Sequence, residues 1–191
     1  MKENKLLKFA TVTLILIYSI CFILFLVKTD LFKLSLTVFC LISTFVLYKL
    51  HQKNSSLLTN NLYLITNLFI FFSTLLGSVF GFYSINHFDD FLHIWSGFIS
   101  CSIAYSIIVN FKVLDFSNKH HILLLCIFVF MFNMGIASLW EIMEFLLDTF
   151  LGTHTQAGGL EDTVIDMIDA FIGGIIMTAY TAKKSYKLNK I

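Results

Sequence analysis

Long apolar runs alternate with short polar breaks along this chain, and the runs have the length of membrane spans rather than of ordinary core helices. Six stretches, near 7–27, 31–50, 62–82, 91–109, 122–147 and 163–182, are dominated by Leu, Ile, Phe and Val. A hydrocarbon core about 30 Å thick needs about 20 apolar residues at the helical rise of about 1.5 Å per residue. Each stretch therefore predicts one transmembrane helix. The breaks leave no room for a separate soluble domain. The expectation is an all-α membrane protein, one polytopic domain over 1–191, with about six transmembrane helices in one bundle.

Composition agrees with the pattern. The chain is 58% hydrophobic, with a mean hydropathy of +0.84, too apolar for an ordinary soluble domain. Its 22 Phe and lack of Pro suit uninterrupted lipid-facing helices. Lys2, Lys5 and Lys8 precede the first run as in a signal peptide. That run is long and has no A-x-A site, so an uncleaved first helix is expected. Cys21, Cys40, Cys101 and Cys126 all fall inside predicted helices and read as small buried hydrophobes.

Charge adds an orientation. With six spans, Lys2, Lys5, Lys8, Lys49, Lys53, Lys112, Lys119, Lys183, Lys184, Lys187 and Lys190 share one side, and only Lys28 and Lys33 lie on the other. The positive-inside rule then makes both termini cytoplasmic. A multi-pass protein of the bacterial cytoplasmic membrane is expected, with the lipid bilayer as its first partner and no nucleic-acid partner.

The acids are placed the other way. Nine of the twelve lie in or beside the two outward breaks at 83–90 and 148–161: Asp89, Asp90, Glu141, Glu144, Asp148, Glu161, Asp162, Asp166 and Asp169. Between Lys119 and Lys183 no Lys or Arg offsets them, and the chain has no Arg at all. An acid at the centre of a membrane helix costs about 2.5–3.5 kcal/mol even on the lenient insertion scale. Glu141, Glu144 and Asp148 fall at i, i+3 and i+7, and Asp162, Asp166 and Asp169 at i, i+4 and i+7, each set forming one helical stripe. Asp89 and Asp90 precede His93 by four and three residues, so one face can carry all three.

Three helices presenting carboxylates and imidazole at one depth suit a divalent cation. The expected ligands are Asp90, His93, Glu141, Glu144, Asp162, Asp166 and Asp169, with His93 and Glu144 as catalytic candidates. Oxygen with some nitrogen favours Mn, Fe, Zn or Mg. The stretch 152–159 is glycine-rich and contains His154 and Gln156, the expected flap over the acids.

Plainer readings stand beside these. Asp162 is equally explained as a helix cap, Asp90 as a helix start, and Glu161 and Asp148 as solvated loop residues. A buried histidine satisfied by its neighbours accounts for His93 as well as ligation does. His120 and His121, beside Lys119, read as solvated, and Trp95 and Trp140 as interface anchors. Gly77 and Gly81 form a G-x-x-x-G that allows close helix packing, as do Gly173 and Gly174 with Ala170.

The same residues carry a resemblance. Asp90-Phe-Leu-His93 with Gly97, Trp140-Glu141-Ile-Met-Glu144, Gln156 and Asp162-Thr-Val-Ile-Asp166-Met167 resemble the YjdF-type family of uncharacterised bacterial integral membrane proteins, over roughly 60–182. More loosely the chain is similar to VanZ-like proteins, whose last helix carries an asparagine where Asp166 stands here. The VanZ-like resemblance implies a cell-envelope role connected with lipoglycopeptide resistance. The YjdF-type resemblance supports the site residues and implies no activity.

Three functions are compatible with these features. The first is a metal-dependent enzyme of the outer leaflet acting on a lipid-linked or cell-envelope substrate. The second is a non-catalytic membrane factor binding a basic peptide, a lipid headgroup or a partner protein. A cation transporter ranks third, because Asn67 and Asn133 are the only notable polar residues at mid-depth and no inverted repeat is visible.

Overall fold

The computed structural model describes residues 5–112, 114–153, 155–156 and 159–188. They form α1 (Lys5–Val27), α2 (Leu31–Lys53), α3 (Asn60–Ile70), a π-helical continuation of α3 (Phe71–Val79), a 3-10 turn (Phe82–Ser84), α4 (Phe88–Phe111), α5 (Lys119–Leu151) and α6 (Leu160–Leu188). Six helices are long and apolar enough to cross a membrane, the third being α3 with its π-helical continuation. Hydrocarbon offers the backbone no hydrogen-bond partner, so a chain built to sit in it must satisfy its N–H and C=O groups within each segment. The fold is all-α, as expected.

The exposed surface is the counterpart of that environment. Leu6, Phe9, Leu16, Ile20 and Ile23 of α1 point outward, as do Leu139, Ile142, Met143 and Phe145 of α5. In water such faces would be aggregation-prone patches. In a bilayer they are the lipid contact.

The chain divides into two compact units, Met1–Phe88 and Asp89–Ile191. In the first, α1 buries Leu7, Thr11, Leu14, Tyr18, Cys21 and Phe25. The alternating four- and three-residue spacing is a single helical seam. Leu14, Tyr18, Cys21 and Phe25 pack there with Cys40 of α2 and with Leu75 and Val79 of the π-helical segment. Thr11 and Tyr63 share a hydroxyl hydrogen bond of 2.7 Å that ties α1 to α3. Cys21, Cys40 and Cys101 are buried, Cys126 is half-buried, and all four are free thiols, as expected of small apolar fillers.

Local chemistry explains where the helices start and stop. Asp30 caps α2 by accepting from the Lys33 N–H, and Thr59 caps α3 by accepting from Leu62. Asn118 caps α5 through the His120 N–H at 2.9 Å, and Gly152 ends that helix in the left-handed region at φ +64°. Between α4 and α5, Asp115 accepts from the Ser117 N–H and hydroxyl, which hold its carboxyl below the usual carboxylate range. His121, expected to be solvated, meets the Asp115 backbone through Nδ1 at 3.0 Å.

The third span forms as expected, with one added feature and one correction. Its second half is π-helical, the Phe80 N–H reaching the Leu75 carbonyl five residues back. Gly77 and Gly81 are not a helix-packing pair. The Tyr83 ring covers Gly77 so closely that a Cβ there would lie 2.6 Å from it, and Gly81 terminates the span at φ +79°.

Candidate metal centre

The second unit brings the start of α4, the end of α5 and the start of α6 to one place, and the packing one to two turns deeper fixes their register. Gly97 of α4 lies against Gly173 of α6: a Cβ on Gly97 would sit 2.9 Å from the Ala170 carbonyl oxygen, and one on Gly173 would collide with the Ile94 carbonyl. Only glycine allows these backbones to approach so closely. Asn133 of α5 donates through Nδ2 to the Ala170 carbonyl at 2.8 Å and accepts from the Ser100 hydroxyl of α4. Its amide covers Gly174. One buried amide thus ties three helices together. His93 is one turn above Gly97, Asp166 one turn above Ala170, and Glu141 two turns above Asn133.

At that level two groups of donor atoms converge. Asp89, His93 and Asp166 each offer one ligand atom within 4.8 Å of the others, and so do Glu141, Glu144 and Asp166. His93 Nε2 lies 3.5 Å from Asp89 Oδ1 and 3.6 Å from Asp166 Oδ1. His93, Glu141 and Asp166 are only 8%, 6% and 3% exposed. Glu144 is half-buried and accepts from the Trp140 indole N–H at 2.9 Å, so Trp140, expected as an interface anchor, also orients an acid of the centre.

The residues present fit a divalent ion on two counts. Glu141 Oε2 is buried with no hydrogen-bond partner among the described residues. A carboxylate oxygen left so, deep in a low-dielectric site, is costly unless a cation or a proton meets it. The donor chemistry is also right: carboxylate oxygens with one imidazole suit Mg, Mn, Fe or Zn. Metal–oxygen bonds of about 2.0–2.2 Å place opposite ligands about 4.2 Å apart. The 4.8 Å limit within each group is close to that span, so small side-chain movements suffice.

Asp148 has a different job. Its Oδ1 accepts from the Thr153 hydroxyl at 2.6 Å and from the Thr155 N–H and hydroxyl at 2.8 Å each, while Oδ2 accepts from the Gln156 N–H at 2.9 Å. It is not a solvated loop residue. It is the anchor around which the chain turns from α5 toward α6. Gln156 then donates from its side chain to the Thr163 hydroxyl of α6 at 2.7 Å, and Thr155 reaches back to the Glu144 carbonyl at 3.4 Å. His154 lies outside the described residues.

Of the expected ligands, His93, Glu141, Glu144 and Asp166 meet in the two groups. Asp90, on the first turn of α4, and Asp162 and Asp169, on α6, are half-buried and belong to neither. Asp89 takes the place on α4 that Asp90 was expected to fill. Spacing alone did not decide between them, because i, i+3 and i, i+4 both share a face; the helix start at Phe88 brings Asp89 onto α4. Sequence reasoning also passed over the packing role of Asn133.

Beside the centre, between α5 and α6, is a cavity of about 620 Å³. Ile142, Phe145, Leu160 and Met167 are its apolar lining, and Ser138, Glu141, Gln156 and Thr163 its polar lining. Ile142, Phe145 and Leu160 are exposed, so it opens on the outer surface of the helices. The buried acid Glu141 is common to the cavity and the metal centre.

No curated protein and no solved structure matches the chain. One family does match, over residues 10–185 and therefore nearly the whole length. Six membrane-length helices and a carboxylate–histidine centre thus belong to a member of the family described as Predicted membrane protein (DUF2238).

Proposed function

We propose that this protein of the bacterial cytoplasmic membrane holds a divalent cation at its outward end and uses it on a lipid-linked or cell-envelope substrate. The observation that carries the reading is the burial of His93, Glu141 and Asp166, each in a group of three donors within 4.8 Å of one another, with no Lys or Arg between Lys119 and Lys183. Buried acids need a counter-charge or a proton, and a divalent ion supplies the first at several carboxylates at once. A docking face for a basic peptide would not need to bury them, which favours the metal reading over the non-catalytic one. The YjdF-type resemblance rests on these same residues, and the looser VanZ-like resemblance fits an envelope role.

A bound ion supplies Lewis acidity and lowers the pKa of a coordinated water. The chain supplies the rest. His93, between Asp89 and Asp166, and Glu144, steered by Trp140, are placed to hold the ion, and whichever of the two is not bound to it would carry protons. The cavity gives an apolar portion of a membrane-borne substrate a place beside Glu141. Gln156, anchored on Thr163, stands in its polar lining as the flap. With no arginine in the chain, an anionic group on the substrate would be offset by the ion.

Elemental analysis of the detergent-purified protein tests this. Mn, Fe or Zn retained by the wild type, or Mg or Mn taken up on reconstitution, and lost in Asp166→Asn is the expected result. Wild-type protein that holds no divalent ion even after reconstitution overturns the proposal.

A further inference from the structure

We propose that the centre is dinuclear, with Asp166 bridging two divalent cations, one bound with Asp89 and His93 and the other with Glu141 and Glu144. The inference rests on the metal reading above and goes further by fixing number, arrangement and bridge. Its first support is geometric. The five donor residues fall into two groups rather than one, and Asp166 is the member they share. A carboxylate has two oxygens and can give one to each ion, which is how paired-metal sites hold ions about 3.5–4 Å apart.

Charge is the second support. Asp89, Glu141, Glu144 and Asp166 bring four negative charges with His93 neutral, and neither α4 nor the stretch between Lys119 and Lys183 supplies a Lys or Arg. One divalent ion would leave two of those charges to be met by protons, in a set that includes the buried Glu141 and Asp166. Two ions neutralise the set. The unpartnered Oε2 of Glu141, a residue only 6% exposed, is the third support, because it places an unmet acceptor in the all-carboxylate half.

The two halves differ in chemistry. The one with His93 offers nitrogen and suits Mn, Fe or Zn, while the all-oxygen half suits Mg or Mn. Manganese fits both, which makes it the probe. Full-length protein in detergent, reconstituted with Mn(II) and freed of excess metal, is expected to hold about two ions per chain and to show the electron paramagnetic resonance spectrum of an exchange-coupled pair. Glu144→Gln and His93→Ala are each expected to keep about one ion with an uncoupled spectrum, from opposite halves, and Asp166→Asn to lose the coupling altogether.

The wild-type measurement alone decides the matter, whatever the variants do to folding. About one uncoupled Mn per wild-type chain overturns the dinuclear centre and leaves the single-ion reading standing. Two uncoupled ions overturn the Asp166 bridge. No manganese on the wild type, under conditions where Mg, Fe and Zn also fail to bind, overturns both readings together.

Discussion

Asp148 and Asp166 stand on consecutive helices at the same end of their unit, carry the same side chain, and do unrelated work. Asp148 is met by four donors from Thr153, Thr155 and Gln156, so its charge is already satisfied by the chain. Among the described residues Asp166, 3% exposed, has only the His93 imidazole as a cationic candidate, at 3.6 Å, and shares its surroundings with Asp89, Glu141 and Glu144. The difference predicts opposite outcomes for neutralising them. Asp148→Ala removes an acceptor on which the stretch after α5 is built, leaving the Thr153, Thr155 and Gln156 donors to find other partners. It is expected to speed amide exchange at Thr155 and Gln156 while metal content stays at the wild-type level. Unchanged exchange at those two amides would show that Asp148 does not hold the turn. Asp166→Asn is expected to do the reverse, losing metal with the turn intact. The sequence separates the two residues only by position, since both sit on acidic stripes with helical spacing but Asp148 borders the break while Asp166 lies beyond the first turn of its helix. What separates them is whether small donors fold back onto the carboxylate, and that depends on the turn that follows.

At the scale of elements, the approach of α4 to α6 is what delivers His93 to Asp166. Gly173→Ala puts a methyl group against the Ile94 carbonyl, and neither backbone can yield without moving the helix. Overpacking of this kind costs about 1–3 kcal/mol. A lower midpoint for thermal unfolding in detergent is expected, with reduced metal retention. Gly135 of α5 is the control, because nothing lies within 4 Å of a Cβ there. Gly135→Ala is expected to be neutral or stabilising by up to about 1 kcal/mol, since alanine is the better helix former. Equal effects at the two positions would mean that Gly173 is ordinary helix backbone. The glycines on the sixth span were visible as a small-residue patch, and the spans themselves were plain because hydrocarbon demands a long apolar run. Their ends were less visible. Apolarity falls off before the helix does, so α4 begins at Phe88 rather than near 91, and α5 extends to Lys119–Leu151 rather than 122–147. That shift moves Asp89 from a loop onto a helix and makes it the partner of His93. The π-helical second half of the third span left no mark in the pattern, because nothing in an apolar run distinguishes a reach of five residues from one of four. Asn133 was noticed as polar at mid-depth, but only its contacts with Ser100 and Ala170 reveal a clamp on three helices.

At the scale of the whole molecule, the question is which side of the membrane the centre serves. The start of α4, the end of α5 and the start of α6 carry it, while Lys112, Lys119, Lys183 and Lys184 lie toward the other ends of those helices. Lys184 there sits over the Tyr105 ring at 4.7 Å, on the same helix pair that carries His93 and Asp166 at its far end. Acids at one end and lysines at the other give each of these helices the same electrical sense. The positive-inside rule reads the lysine end as cytoplasmic, because Lys and Arg resist transfer across the membrane far more than Asp and Glu. With six spans, a reporter active only outside the cytoplasm is expected to be inactive when fused after Lys190 and active when inserted between Gly152 and Gly159. The reverse pattern would place the centre on the cytoplasmic side. That outcome would leave its metal chemistry intact but remove the outer leaflet as the source of its substrate, since the cavity at Ile142, Phe145 and Leu160 would then open toward the inner one. The reporter pair therefore tests more than orientation. It decides which leaflet's lipids can present a headgroup to Glu141, and so which substrates are worth assaying once the metal content is known.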